Sequence, residues 1–171
     1  MKNLILIGMP SAGKSTVGVI VAKNRGMSFV DTDVLLQTQQ GRLLQNIIDM
    51  DGIENFLKIE ESTILSLDCE NTVIATGGSA ILSESAMSHL KRNGIVVYLD
   101  IDIETVNKRL LNLKSRGVVL SPGQTLEEVY NKRKPLYTKY ADITINCSEF
   151  SIDTTIATIH QTLDSLSENL K

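Results

Sequence analysis

The sequence predicts an α/β fold on a mostly parallel sheet, and three observations carry that reading. Short apolar runs alternate with longer stretches of helical spacing across 171 residues, which is the pattern of linked βαβ units. The first run, Leu4-Ile5-Leu6-Ile7, is unbroken, as in a buried strand. Hydrophobic residues at 42% and charged residues at 22% match ordinary globular usage and exclude disordered and fibrous classes. In order, the strands are placed at Asn3 to Ile7, Ser28 to Val30, Thr72 to Ala75, Ile95 to Asp100 and Ile143 to Asn146. Helical patterns occupy Ser15 to Asn24, Gly52 to Ser66, Glu84 to Asn93, Ile103 to Leu111 and Leu126 to Tyr140. The tail from Ile152 to Leu170 spaces Ile152, Ile156, Ile159, Leu163 and Leu166 along one helical face, which should pack on the sheet.

A chain of this length suits one domain, 1–171, and can bury roughly 70% of its unfolded surface without disulfide staples. The least regular stretch, 112–124, contains Lys114, Arg116, Gly117, Pro122 and Gly123 and reads as a lid. Seventeen basic and 20 acidic residues give a net charge of −3. That leaves no basic footprint for nucleic acid and no polybasic membrane patch. The four apolar residues of the first strand fall short of the about 7 to 15 of a signal core and the about 20 of a membrane span. Cys69 and Cys147 form no CxxC pair, so a cytoplasmic protein with two incidental thiols is expected. His89 and His160 have no evident partner and are given no role.

The segment Gly8-Met9-Pro10-Ser11-Ala12-Gly13-Lys14-Ser15 fits G-x-x-x-x-G-K-[ST] at every position. Gly8 and Gly13 let the backbone turn so that successive N–H groups, from Ser11 and Ala12 through Thr16, point at phosphate oxygens. Lys14 reaches the β- and γ-phosphates, and the Ser15 hydroxyl suits Mg²⁺. A strand precedes the loop and a helix start follows, which adds the positive end of the helix dipole. The loop therefore predicts binding of a nucleoside triphosphate, with ATP and Mg²⁺ as the expected pair.

Asp31-Thr32-Asp33 ends the second strand, on the side where strand C-termini face the phosphate loop. Asp31 could hold the Mg²⁺ shell while Asp33 accepts a proton from an attacking hydroxyl. Equally, the pair could cap a helix ahead of Val34-Leu35-Leu36. Thr76-Gly77-Gly78-Ser79 offers small residues where a ligand could approach the backbone, or simply a tight strand-to-helix turn.

In order and spacing, these pieces resemble the shikimate kinase family over about four-fifths of the chain. Asp31-Thr32-Asp33 matches the family's D-x-D, and Gly52 to Glu60 is similar to its GExxFRxxE helix. Ala75-Thr76-Gly77-Gly78 resembles the start of its TGGG turn. Arg109 and Arg116 match the arginines around its lid, and Arg133-Lys134-Pro135-Leu136-Tyr137 is similar to its RxPLY stretch. The resemblance implies a three-layer P-loop kinase fold, with a five-stranded parallel sheet flanked by helices and a short lid. It implies phosphoryl transfer from ATP to a ring hydroxyl of shikimate in aromatic amino acid biosynthesis. Lys14 would contact phosphates, Ser15 and Asp31 would hold Mg²⁺, and Arg116 would meet transition-state charge. Arg109 would stack on adenine, Asp33 would position or deprotonate the hydroxyl, and Arg133 would grip the carboxylate above Gly77 and Gly78. The acceptor is then a small, hydroxylated, anionic molecule, and the protein a monomer.

Departures fall on the acceptor side. The helix arginine is replaced by Leu57, the third turn glycine by Ser79 and the lid proline by Gly117. Losing one guanidinium removes a charge-assisted contact, for which about 1.5 to 3 kcal/mol is reasonable. Lys58 lies about 100° round the helix from Leu57 and should point elsewhere. A relative acting on another anionic or polyol acceptor, and a non-catalytic ATP-binding relative, are the alternatives. A nucleoside monophosphate kinase would need further acceptor-site arginines, and no such motif is present. Lys14, Arg109, Arg116 and Arg133 are expected to converge on one crevice.

Overall fold

The structure, a computed structural model, describes residues 2–111 and 123–168. Among the described residues, five strands form one parallel sheet: β1 (Asn3–Ile7), β2 (Ser28–Asp31), β3 (Thr72–Ala75), β4 (Gly94–Asp100) and β5 (Ile143–Asn146). Their order is β2-β3-β1-β4-β5. β1 is central, with Leu6 level with Ala75 on one side and Val97 on the other. From β1 the chain therefore steps past β3 to β2, returns to β3, and then crosses to the other side of β1 for β4 and β5. Such a switch point opens a crevice at the C-terminal end of the strands, where the loop after β1 lies.

The helices described beside the sheet are α1 (Lys14–Arg25), α2 (Thr32–Gln40), α3 (Leu44–Asp51), α4 (Ile53–Leu65), α5 (Glu84–Arg92), α6 (Ile103–Leu111), α7 (Leu126–Tyr140) and α8 (Ile152–Glu168). Side chains alternate across a strand, and neighbouring positions of β1 show that both faces are covered. Leu6 packs on α1, where a Cβ on Gly18 would stand 3.1 Å from it and 2.8 Å from Phe29. Ile5 packs on the opposite side at the α5–β4 turn, against Gly94. On that side Tyr98 of β4 stacks with Tyr137 of α7, their ring centroids 5.1 Å apart. The result is the three-layer arrangement expected of the family.

All five expected strands are present, with β2 running on to Asp31 and β4 starting at Gly94. In α8, Ile156 and Ile159 are buried and Leu163 packs beside them, whereas Ile152 and Leu166 are exposed. The structure adds α3 and makes a helix of α2, which the sequence offers only as the capping alternative for its aspartates. They rest on a small core of their own, Leu36, Ile47 and Phe56, apart from the main core of the sheet. The residues expected to form the lid, including Lys114, Arg116 and Gly117, lie outside the described residues apart from Gly123 and Gln124. Among the described residues, no helix is long and apolar enough to cross a membrane.

Candidate active site

The loop between β1 and α1 is shaped by close approach. Gly8 has φ 148°, and a Cβ there would lie 2.6 Å from the Leu99 carbonyl oxygen, so only glycine fits. Ser11 holds a left-handed φ of 69°, uncommon for a residue with a side chain. Its hydroxyl is buried without a hydrogen-bond partner among the described residues. Gly13, at φ 94°, stands at the N-terminus of α1 with no side-chain cap on that end. The first N–H groups of α1 and the Ser11 hydroxyl are therefore available to an anion. Lys14, 8% exposed, folds over the loop and donates from Nζ to the carbonyls of Gly8 at 2.8 Å and Met9 at 2.9 Å. Ala12 is buried in the loop and Thr16 is exposed on the first turn of α1. Arg109, from α6, donates to the Ser11 carbonyl at 3.2 Å and so reaches the same loop.

A cavity of about 300 Å³ opens beside this loop. Ser11, Gly13, Lys14 and Ser15 line one side. Asp31 and Asp33 line another, and Gly77, Gly78 and Arg133 line the floor. Gly8, Ala12, Thr16 and Arg109 do not line it, and Arg116 lies outside the described residues. Leu43, Leu44 and Gln45, at the start of α3, complete the wall together with Val34 and Gln37 of α2. The α2–α3 segment thus forms one side of the cavity.

The two aspartates divide between the readings the sequence left open. Asp31 Oδ1 accepts from the N–H groups of Asp33 at 3.0 Å and Val34 at 3.2 Å, so Asp31 caps α2. Asp33 lies in the first turn of that helix and is not its cap. Asp31 still lines the cavity, and with the Ser15 hydroxyl it supplies oxygen donors of the kind Mg²⁺ takes.

The floor is held by a hydrogen-bonded chain. Tyr137, fully buried, donates to the Gly78 carbonyl at 2.6 Å and is hydrogen-bonded to Arg133, one turn earlier in α7. Arg133 is 4% exposed. A Cβ on Gly77 would overlap Glu60 Oε1 and stand 2.7 Å from Asp33 Oδ1. A side chain at Gly77 would thus displace one or both of the carboxyls that approach its Cα. Gly78 is packed by Pro10 of the loop, 2.8 Å from where a Cβ would be.

Glu60 received no role from the sequence. It is 3% exposed, and Ser79 donates to its Oε2 at 2.6 Å. Burial pushes its carboxyl up to about 7, and Asp33 adds to this, against the opposing pull of the Ser79 hydrogen bond, Arg133 and Lys14. The signal that could have marked it is a carboxylate at an apolar position. Phe56, Glu60, Thr63 and Ile64 form the buried face of α4.

Leu57 is half-buried and turns to the Leu36–Ile47–Phe56 cluster instead of lining the cavity. Lys58 is exposed, as its helical offset requires. The expected crevice of cations is really mixed. Lys14 and Arg133 face Asp31 and Asp33 across it, with Glu60 behind them. His89 and His160 also have partners. His89 Nε2 meets the Leu67 carbonyl at 2.7 Å, and Arg25 meets His160 Nδ1 at 3.1 Å, so both serve structure away from the cavity.

A phosphate-binding loop at the switch point of a parallel sheet, with an acceptor-sized cavity beside it, defines a P-loop kinase of small molecules. The family model for shikimate kinase matches residues 10–164. The shikimate kinase of Pasteurella multocida is 37% identical over 169 residues, covering 96% of this chain and 97% of that protein. That of Thiobacillus denitrificans is 34% identical over 167 residues, covering 96% and 91%. The solved shikimate kinase from Acinetobacter baumannii, in complex with shikimate, superposes with a TM-score of 0.88 at 31% identity, covering 100% of this chain and 96% of that one. The chain belongs to the shikimate kinase family.

Proposed function

We propose that this chain is an ATP-dependent kinase that transfers the γ-phosphoryl group to a ring hydroxyl of shikimate, in aromatic amino acid biosynthesis. The observation that carries the reading is the cavity shared by Lys14 and Ser15 of the loop and by Asp33 and Arg133 on the acceptor side.

Phosphoryl transfer needs positioning and charge neutralisation more than covalent chemistry. The N–H groups of Ser11, Gly13, Ser15 and Thr16 cradle the phosphates around the turn that Gly8 allows, and Lys14 leaves the loop carbonyls to meet their charge. The Ala12 N–H instead closes that turn on the Met9 carbonyl at 3.1 Å. Ser15 and Asp31 hold Mg²⁺, which neutralises phosphate charge when bound. Arg133 takes the acceptor carboxylate, and the bare Gly77 and Gly78 let the ring lie close to the backbone. Asp33 receives the hydroxyl proton as its oxygen attacks the γ-phosphorus and ADP leaves. Arg109 packs on the adenine, and Arg116 meets the transition-state charge. The 1–171 unit works as a cytoplasmic monomer on a small anionic acceptor, and light scattering of the eluted protein checks its mass.

The purified protein with Mg²⁺ and ATP should release ADP faster once shikimate is added. Absence of stimulation at millimolar shikimate, alongside measurable ATP binding, overturns the acceptor while leaving a kinase. A panel of polyols and other hydroxy acids then finds the replacement. Lys14→Ala should abolish turnover with either acceptor.

A further inference from the structure

Two of the three acceptor-side departures, Leu57 and Ser79, bear on one carboxyl, that of Glu60. Glu60 follows Leu57 by three residues on α4, so the two share a helix face. An arginine in place of Leu57 would stand one turn from Glu60, within reach of its carboxyl. Leucine supplies no donor and packs instead on Leu36, Ile47 and Phe56. The donor comes from the other departure, since the Ser79 hydroxyl bonds Glu60 Oε2 at 2.6 Å from the turn after β3. With Oε2 so fixed, Oε1 is buried without a hydrogen-bond partner among the described residues. It is directed at the Cα of Gly77, beside Asp33 Oδ1. The charged and titratable groups facing Glu60 are Asp33 from the start of α2, Lys14 from the loop, and Arg133 and Tyr137 from α7.

We propose that Ser79 is a positioning residue that takes over the hold on Glu60 which Leu57 does not provide in this chain, keeping Oε1 aimed at the acceptor floor beside Asp33. Ser79 and an arginine introduced in place of Leu57 are therefore alternative partners of one carboxyl, and the two departures are a single coupled change. A buried carboxyl that loses its hydrogen-bond donor must turn towards another or carry an unsatisfied oxygen. Either outcome disturbs the surface on which the acceptor ring rests. The inference rests on the acceptor reading above.

The test is a cycle of wild type, Ser79→Ala, Leu57→Arg and the double variant, read in two ways. In shikimate-dependent ADP release, Ser79→Ala should raise the shikimate KM about tenfold and leave the ATP KM within about twofold. In the Leu57→Arg background the same Ser79→Ala change should move the shikimate KM by no more than about twofold from that of Leu57→Arg alone, and Ser79→Thr, which keeps the hydroxyl, should behave as wild type. In thermal unfolding of the free protein, Ser79→Ala should lower the midpoint more in the wild-type background than in the Leu57→Arg background. Effects that multiply independently in KM and add in the midpoint overturn the coupling. A wild type that ignores shikimate overturns the acceptor reading, and the unfolding cycle then decides the coupling of Ser79 and Leu57 through Glu60 by itself.

Discussion

Arg133 carries two burdens at once, and its substitution separates them. The residue is 4% exposed, hydrogen-bonded to Tyr137 and close to Glu60, so it supports the floor as well as facing the acceptor. With Leu57 turned away, it is the cation on that floor among the described residues. Arg133→Ala should raise the shikimate KM roughly tenfold to a hundredfold. The ATP KM should stay within about twofold, because Lys14 and the loop do not depend on Arg133 for their hydrogen bonds. Steady-state kinetics in both substrates checks this, and a parallel rise in both constants would mark Arg133 as purely structural. Lys14 was legible because its place in the glycine loop is itself the motif, Asp33 because it follows a strand end facing that loop, and Arg133 through the resemblance of its RKPLY stretch to the family pattern. Glu60 was not, although it stands in the GIENFLKIE stretch. Its role depends on Ser79 and Gly77, about twenty positions away, and no local pattern carries that distance.

At the scale of elements, the strands could be read because each is a short apolar run between helices, and β1 and β3 are buried along their whole length. The α2–α3 segment could not. It comprises helices of 9 and 8 residues, broken by Gly41 at φ 63°, and together they bury two large apolar side chains, Leu36 and Ile47. Two turns of helix around one buried residue give no measurable period. Val34 and Leu43, exposed at 57% and 64%, further blur the pattern because they serve the cavity wall and not the core. What the sequence did offer was the capping alternative for Asp31, and that is how α2 begins. Asp31 is thereby assigned to both the helix and the metal, and one substitution divides the two tasks. Asparagine keeps an acceptor oxygen for the cap but loses the charge. Asp31→Asn should leave the unfolding midpoint within about 2 °C of wild type. The Mg²⁺ concentration for half-maximal turnover should rise about tenfold. A large fall in the midpoint with an unchanged Mg²⁺ requirement would leave Asp31 as a cap alone.

For the whole molecule, the buried carboxyl ties catalytic geometry to global stability. The Glu60 carboxyl titrates at about 7 in the folded chain against an ordinary value of 4.5, so the folded state keeps its proton to higher pH than the unfolded state does. Its stabilising contribution is therefore complete below pH 4.5 and is lost as pH rises through 7. The difference corresponds to about 3 kcal/mol across that interval. Asp51, held low by Arg42, and Asp102, held low by the Thr105 backbone, act in the opposite sense but below 3.8, outside this window. His160 does overlap it. Burial and Arg25 hold its imidazole below 6.5, so the unfolded chain binds the extra proton and stability rises with pH there. The wild-type curve is thus a partial cancellation, and only its difference from a Glu60 variant isolates the carboxyl. Glu60→Gln keeps the shape and can still accept from Ser79, while losing the titration. Urea unfolding at about pH 5, 6, 7 and 8 should show wild type losing stability relative to Glu60→Gln, most steeply between the two values, near about pH 6, and levelling off above 7. Parallel curves would mean that Glu60 ionises in the folded chain as it does in the unfolded one, and that Arg133 and Lys14 offset its burial in full.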